Sequence, residues 1–272
     1  MEEVVADCSL AEMMCIVAAR YMKGSGTTFV GLGLPMLSAL LAKMLHDPEI
    51  AYCTEVGVVD WQPEFGGSPR APRGVGDPIL TVGTAYLGDM LDTLGTLLMG
   101  SSVDTAVLSG GQIDRYGNLN TLLIGSYSDF ARRFPGSGGN TDLACMAKRT
   151  IVIMPFEPRR FVKRVDFLSS PGYIDGPGAR RRAGLEPQGP NLVITTLGVF
   201  GFDTSDGGET GSCEMELRAL MPGVEAEGVA ALIPWPLRLS PTLNQISPPT
   251  QEEITLLRRL DQAKTYLRDG RY

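Results

Sequence analysis

The sequence predicts an α/β fold whose strands form a parallel sheet. A strand-like run, a glycine turn, a helix and a second strand follow one another between residues 27 and 54, which is the order of a parallel α/β unit. Three later runs, at 104–109, 150–155 and 191–196, are short and apolar, as central strands are. Hydrophobic residues make up 43% of the 272 residues and charged residues 20%, so the chain can bury a globular core.

The first elements have clear local signals. The predicted order is a helix over 9–23, a strand over 27–32, a helix over 35–46 and a strand over 49–54. Ser9 and Glu12 form a capping box before apolar residues at helical spacing. Pro35 lies in the first turn of the second helix, where proline is favourable.

Later elements alternate with long glycine-rich connections. After a Pro/Gly loop at 62–78, the sequence predicts a helix over 86–99, with Leu87, Met90, Leu91, Leu94 and Leu98 on one side. A last helix begins at Thr250, where Glu253 completes a second capping box. The connections between the later strands are long enough to predict functional or partner-facing loops, and they cover 110–118, 125–139 and 171–189.

Composition excludes several classes of function. The formal net charge of −7 argues against nucleic-acid binding, which needs a basic surface. The only histidine, His46, excludes most histidine-based zinc sites and leaves a Ser-His-Asp triad one possible member, so we predict no metal site. The five cysteines form no C-x-x-C pair and the chain has no signal peptide or long apolar run. We therefore expect a soluble cytoplasmic protein that makes no membrane contact.

The segment GLGLP at 31–35 follows a strand and precedes a helix. Glycine amides at a helix N-terminus attract anions, which makes Gly31 and Gly33 candidates for substrate binding. The third glycine of a dinucleotide-binding fingerprint is missing because Met36 occupies its place. A tight strand-to-helix turn explains the same glycines without any ligand.

Glu55, in CTEVGVVDW at 53–61, stands where a strand runs out. Ligands of open α/β sheets bind beyond the carboxyl ends of strands, and a partly desolvated carboxylate there can act as a nucleophile. A strand-end glutamate that faces water is the alternative. We expect Cys53 to be a small buried apolar residue and not a reactive thiol.

Two further glycine-rich segments are candidates for binding. The segment RFPGSGGNTD at 133–142 places three glycines in four positions, and successive glycine amides can form an anion nest or an oxyanion hole. The segment 169–187 contains three adjacent arginines, Arg180, Arg181 and Arg182. Because adjacent side chains point in different directions, we expect a solvated loop with at most one functional guanidinium.

Taken together, these segments resemble the β subunit of a family I coenzyme A transferase, of the glutaconate CoA-transferase type. The resemblance extends in family order from GLGLP at 31–35 through SGGQIDRYGNLN at 109–120, GSGG at 136–139 and SPGYIDGPGARRRAGL at 170–185 to NLVITTLGVFGFD at 191–203. It implies a single CoA-transferase β-subunit domain over 1–272, with an open α/β/α sheet shared with ribose-5-phosphate isomerase. The stretch 205–247 matches less well.

The resemblance also implies a covalent mechanism. TEVG at 54–57 matches the place where such subunits carry their active-site glutamate, so Glu55 would attack an acyl-CoA and then carry CoA as a glutamyl thioester. Gly136, Gly138 and Gly139 would supply oxyanion donors. Such enzymes bind no cofactor beyond coenzyme A itself, which is a substrate.

Partner and substrate follow from the same resemblance. Such a chain would work with a homologous α subunit, in an α2β2 or larger hetero-oligomer, on an acyl-CoA and a small carboxylic acid. We expect a short dicarboxylic acyl-CoA such as glutaconyl-CoA, with acetate as the small acid. Arg70 and Arg73 are candidates for the second carboxylate, although a solvated or CoA-phosphate role fits them equally well. An acyl-CoA hydrolase or decarboxylase on the same scaffold, and a non-catalytic assembly subunit, are the alternatives.

Overall fold

The computed structural model of the chain describes residues 8–62, 72–204 and 208–267. Its helices are α1 (Leu10–Tyr21), α2 (Leu34–Leu45), a π-helix (Leu91–Leu98), α3 (Asn140–Met146), α4 (Ala179–Arg182), α5 (Ala226–Leu232) and α6 (Gln251–Leu260), with a 3-10 turn at Pro78–Thr81. Its strands are β1 (Thr27–Val30), β2 (Ala51–Cys53), β3 (Val58–Val59), β4 (Tyr86–Leu87), β5 (Thr105–Leu108), β6 (Gln112–Ile113), β7 (Leu119–Asn120), β8 (Leu123–Gly125), β9 (Phe130–Arg133), β10 (Arg149–Ile153), β11 (Pro190–Ile194), β12 (Gly198–Phe202), β13 (Met215–Leu220) and β14 (Arg238–Gln245).

The chain divides into two compact units. The first consists of Met1–Val107 with Ser247–Tyr272, and the second of Leu108–Ile246. The single domain predicted over 1–272 stays a prediction.

The first unit carries the predicted parallel arrangement. Strand β1 pairs in parallel with β2 on one side and with β5 on the other, and β3 and β4 continue the order antiparallel. Helices α1, α2 and α6 pack against one another, and α2 also packs on β1. Both predicted capping boxes are present, at the start of α1 and at the start of α6. The core includes the side chains of Met14, Ile16, Leu37, Leu41 and Leu257.

The second unit combines parallel and antiparallel pairing. Its strands follow the order β14-β13-β12-β11-β10, in which β10 and β11 are parallel and β12 runs antiparallel to both of its neighbours. Two small hairpins, β6–β7 and β8–β9, occupy the predicted glycine-rich connections at 110–118 and 125–139. Those connections are therefore partly ordered by their own backbone hydrogen bonds.

The helix predicted over 86–99 is only partly correct. Tyr86 and Leu87 pair with β3 as strand β4, and the helix that follows is a π-helix confined to Leu91–Leu98. Of the expected apolar face, Leu98 is buried, whereas Leu87, Met90 and Leu91 are exposed. A π-helix makes i→i+5 hydrogen bonds, so the 3.6-residue period used for the prediction does not describe its faces.

Candidate active site

Glu55 lies in a tight turn that joins β2 to β3. The amide of Gly57 donates to the carbonyl of Thr54 at 3.3 Å, and the amide of Thr54 donates to the carbonyl of Val58 at 3.0 Å. Glu55 is therefore the second residue of a four-residue turn at the end of β2, and it is half-buried. This is the strand-end position that the sequence predicts.

The backbone around Glu55 is fixed from two sides. Gly57 adopts φ +94°, and a Cβ there would overlap the backbone of Gly88 and Asp89. The amide of Gly88 donates to the carbonyl of Gly57 at 2.9 Å. The buried Thr93 hydroxyl, in the π-helix, donates to the carbonyl of Glu55 at 3.2 Å. The β4 and π-helix segment therefore holds the turn by main-chain contacts, leaving the Glu55 side chain to other interactions.

The residues just before Glu55 are buried. Cys53 is fully buried, and this burial raises the pKa of its thiol to about 12, so the thiolate needed for nucleophilic attack is absent at neutral pH. This confirms the expectation that Cys53 is a small apolar residue. Thr54 is also fully buried, and its hydroxyl has no hydrogen-bond partner among the described residues.

The GLGLP segment forms the predicted turn between β1 and α2. Gly33 caps α2 with φ +92°, a conformation in which glycine is favourable, and the amide of Gly31 donates to the carbonyl of Val107 at 3.4 Å. The ring of Tyr266 lies beside this turn, 3.7 Å from the position of a Cβ at Gly33, and its hydroxyl donates to the carbonyl of Pro72. The turn is confirmed, and a role in substrate binding stays a prediction.

The glycine loop at 136–139 precedes α3. Gly136 and Gly138 adopt positive φ values of +112° and +50°, and Gly139 caps α3. Gly139 is buried, whereas Gly138 is exposed. The amide of Gly136 donates to the carbonyl of Thr121 at 3.1 Å, so it is already used within the fold. Gly138 and Gly139 are therefore better candidates for oxyanion donors than Gly136.

A cavity of about 490 Å³ adjoins this loop within the second unit. It is lined by Ser109, Gly110, Gly111, Thr121, Ile124, Arg132, Phe134, Pro135, Gly136, Arg159 and Arg160. Three guanidinium groups and the side chains of Ile124, Phe134 and Pro135 give it a cationic part and an apolar part. A volume of this size is in the range of small-molecule sites.

The arginines named from the sequence have other positions. Arg70 lies outside the described residues. Arg73 is exposed, and its main-chain amide donates to Asp77 at 2.9 Å. Their role in binding a second carboxylate stays a prediction.

Arg180 corrects the expectation of three solvated arginines. Its side chain is 2% exposed, and its guanidinium donates to five main-chain carbonyls, those of Ala144, Cys145, Pro171, Gly172 and Glu186. Arg181 and Arg182 are exposed, as predicted. Arg180 thus ties α4 to the end of α3 and to the 171–186 segment, which is a structural role.

His46 has a structural position as well. It caps the C-terminus of α2, and its Nε2 lies 3.4 Å from the Glu253 carboxylate. Burial lowers the pKa of His46 more than Glu253 raises it. Within the described ranges, no three His, Cys, Asp or Glu side chains are grouped so as to hold a metal ion. No helix in the described part of the chain has the length and apolar composition to cross a bilayer.

Comparison with known proteins identifies the family. The model of the coenzyme A transferase family matches residues 11–231 of the chain. The chain belongs to the coenzyme A transferase family. The β subunit of 3-oxoadipate CoA-transferase from Pseudomonas knackmussii is 33% identical over 93% of this chain and 93% of its own length. The β subunit of glutaconate CoA-transferase from Acidaminococcus fermentans is 35% identical over 71% of this chain and 72% of its own length.

The crystal structure of glutaconate coenzyme A-transferase from Acidaminococcus fermentans shares the fold. It superposes with a TM-score of 0.87 at 30% identity and covers 98% of this chain and 99% of the matched chain. This match confirms the predicted α/β fold of the CoA-transferase type.

Two parts of this coenzyme A transferase site had no usable signal in the sequence. Thr93, which holds the Glu55 carbonyl, sits in a segment whose apolar pattern predicted only a packing helix. In the cavity, Arg132 and the Arg159–Arg160 pair are far apart in the sequence. Only the folding of β8, β9 and the segment after β10 brings them to one cavity.

Proposed function

We propose that the chain is the CoA-transferase subunit that carries the covalent nucleophile, Glu55. The observation that carries this proposal is the position of Glu55 in a rigid turn at the end of β2, in a chain of this family. In the first step the Glu55 carboxylate attacks the thioester carbonyl and forms a mixed anhydride, and CoA leaves as its thiolate. The thiolate then attacks the glutamyl carbonyl of that anhydride, which releases the acyl group as its carboxylate and leaves a glutamyl-CoA thioester.

The second half of the reaction reverses these steps. An incoming carboxylate attacks the glutamyl-CoA carbonyl, and CoA thiolate then attacks the resulting anhydride on the acyl side to give the new acyl-CoA and free Glu55. Each intermediate on Glu55 stays activated, so the energy of the thioester is retained. Each addition passes through a tetrahedral oxyanion, and main-chain amides at Gly138 and Gly139 are the proposed donors to it.

The proposed substrates are a short dicarboxylic acyl-CoA and a small acid such as acetate. Glutaconyl-CoA is the first candidate, supported by the glutaconate-type loop at 170–185 and by the relative at 35% identity. A second candidate, 3-oxoadipyl-CoA, is supported by a relative that matches 93% of this chain. Both names describe dicarboxylic acids, so the class is the same. A kcat/KM for these two thioesters no better than for butyryl-CoA contradicts this assignment.

The proposed partner is a homologous α subunit. Both relatives are named as one subunit of a transferase, which supports a second chain encoded separately and an assembly of α2β2 or larger. We place this assembly in the cytoplasm, where acyl-CoA substrates are available.

The nucleophile is tested by substitution and by trapping. Glu55→Ala in the assembled enzyme is expected to lower kcat by several orders of magnitude, because binding alone cannot replace a covalent nucleophile. Hydroxylamine or borohydride, added after the acyl-CoA, is expected to label Glu55 and no other residue, as read by peptide mass spectrometry.

A matched control uses Glu49, an exposed glutamate six residues earlier in the chain. Glu49→Ala is expected to retain normal turnover and normal labelling of Glu55. Near-normal turnover in Glu55→Ala, or labelling at another residue, would overturn the mechanism.

A further inference from the structure

The cavity beside Gly136 has a charge opposite to that of the chain. Its lining in the described structure contains three guanidinium groups, on Arg132, Arg159 and Arg160, and no carboxylate. The chain as a whole carries a formal charge of −7. A concave surface lined by one sign of charge favours a ligand of the opposite sign.

Arg132 lies on β9 and keeps its hydrogen-bonding capacity. Its guanidinium is 5.8 Å from the centroid of the Phe134 ring, close enough for a cation–π contact. In the part of the chain that the structure describes, no carboxylate pairs with Arg132. The Phe134 ring packs directly on Gly111, where a Cβ would overlap the ring, so the surface beneath Arg132 is fixed.

Arg159 and Arg160 are held as a pair by one carboxylate. Glu157 accepts from Nε of Arg159 at 2.6 Å through one oxygen, and its other oxygen lies 2.6 Å from Arg160 Nη2. Two guanidinium groups and one carboxylate leave a net positive charge, and most of the N–H donors of the pair remain available. The Arg160 side chain is 26% exposed and that of Arg159 is 70% exposed, so Arg160 is the more enclosed of the two.

The rest of the wall limits the ligand further. Ile124, Phe134 and Pro135 are apolar, so a small multiply charged ion would leave them without a matching surface. A short hydrocarbon chain that ends in an anionic group matches both parts of the wall. Gly136 belongs to this wall and also to the loop proposed to stabilise the oxyanion of the reacting thioester.

We propose that this cavity binds the terminal carboxylate of a dicarboxylic acyl group, with Arg132 and Arg160 as the contacts that determine specificity. The proposal rests on the proposed function and names its acyl subsite. In a short dicarboxylic acyl group only a few carbons separate the thioester carbonyl from the distal carboxylate, so both must bind near one loop. The phosphates of CoA are separated from the thioester by the whole pantetheine arm, which makes them the less suitable ligand.

The first test compares two substrates in the assembled enzyme with its α subunit. Arg132→Gln is expected to lower kcat/KM for glutaconyl-CoA and 3-oxoadipyl-CoA by tenfold or more, mainly through KM, because a charge-assisted contact is lost. Its kcat/KM for butyryl-CoA is expected to stay unchanged. Arg132→Lys is expected to retain part of the preference. Arg181→Gln is the control, since Arg181 is exposed, lies outside the cavity and is expected to leave both values unchanged.

The second test measures binding without chemistry. Calorimetry in the absence of CoA is expected to show that adipate binds more tightly than hexanoate, and that Arg132→Gln and Arg160→Gln each remove this difference. Because this readout does not involve Glu55, selective adipate binding by an assembly without transferase activity would refute the proposed function and keep the cavity assignment.

Three results would overturn the proposal. One is equal binding of adipate and hexanoate to the unmodified enzyme. Another is an unchanged dicarboxylate preference in both Arg132→Gln and Arg160→Gln, each shown by thermal unfolding to be folded. The third is an equal loss of kcat/KM for glutaconyl-CoA and butyryl-CoA in Arg132→Gln, because that result would assign the guanidinium to the phosphates of CoA.

Discussion

The position of Glu55 depends on a glycine two residues later. Gly57 has φ +94°, and it approaches the backbone of Gly88 and Asp89 so closely that no side chain fits. Backbone atoms cannot yield as a flexible side chain can, so any larger residue must move the turn. A displacement of about 1 Å of a reacting group can cost a hundredfold in rate.

We therefore expect Gly57→Ala to lower kcat by at least one hundredfold and to reduce the thermal stability of the chain, because it adds both strain and overlap. Gly76→Ala is the matched control, since a Cβ at Gly76 meets nothing within 4 Å and its φ is ordinary. Steady-state kinetics and a thermal unfolding curve measure the two effects. Normal kcat in a folded Gly57→Ala enzyme would show that the turn does not fix the nucleophile.

Single residues also show where sequence reasoning fails. Glu55 and Cys53 were placed correctly because strand ends and strand alternation follow from local pattern. The buried role of Arg180 could not be predicted, because its five carbonyl acceptors lie up to 36 residues away in sequence. The same limit applies to Arg132 and to Thr93, whose partners are set by tertiary structure.

At the level of elements, helices α1 and α6 are linked through their capping glutamates. Glu12 caps α1 and accepts from Arg258 of α6 at 2.6 Å, and Glu253 caps α6 and accepts from Arg20 of α1 at 2.7 Å. Each glutamate therefore satisfies an amide of its own helix and an arginine of the other. This exchange fixes the two helices side by side within the first unit.

These contacts make the first unit sensitive to acid. Burial alone raises the pKa of Glu12 and of Glu253, but the hydrogen bonds from Arg258, Arg20 and the cap residues outweigh it and hold both pKa values below the usual range. A carboxyl with a lowered folded pKa adds stability above its unfolded pKa, near 4.5. That stability is lost as the pH falls through the lower folded value.

We expect the Glu12→Gln/Glu253→Gln double variant to unfold at lower urea concentration than the wild type at pH 7. Its free energy of unfolding is expected to fall less than that of the wild type between about pH 5 and pH 3. Glu252→Gln changes an exposed neighbour and is expected to keep the wild-type pH dependence. Parallel pH curves for the wild type and the double variant would exclude these pairs as the source of acid sensitivity.

The elements that could be predicted share one property, which is that local sequence determines them. Capping boxes, the proline at the start of α2 and the apolar runs of β5, β10 and β11 all appear where the pattern indicates. The π-helix at Leu91–Leu98 departs from the 3.6-residue period and was therefore given the wrong start and the wrong buried face. The hairpins β6–β7 and β8–β9 were read as loops because their strands are two to four residues long.

At the level of the whole molecule, the fold and the family could be predicted because many weak motifs occur in one order. GLGLP, TEVG, GSGG and the 170–185 segment are each common, and their order over most of the chain is specific. The cavity lining could not be predicted in this way, because it combines residues from separate segments of the second unit. Substrate class therefore follows from the structure more directly than from any motif.

The last prediction concerns the partner chain. Both relatives are named as one subunit of a transferase, so we expect the purified chain alone to have no CoA-transfer activity and to regain it when mixed with its α subunit. Native mass spectrometry is expected to show equal numbers of the two chains, in α2β2 or a larger assembly. Glu55→Ala is expected to assemble normally and remain inactive, because a half-buried turn residue is needed for chemistry and not for the fold. Full activity in the isolated, monodisperse chain would contradict the need for a partner, and failure of Glu55→Ala to assemble would assign that residue a structural role.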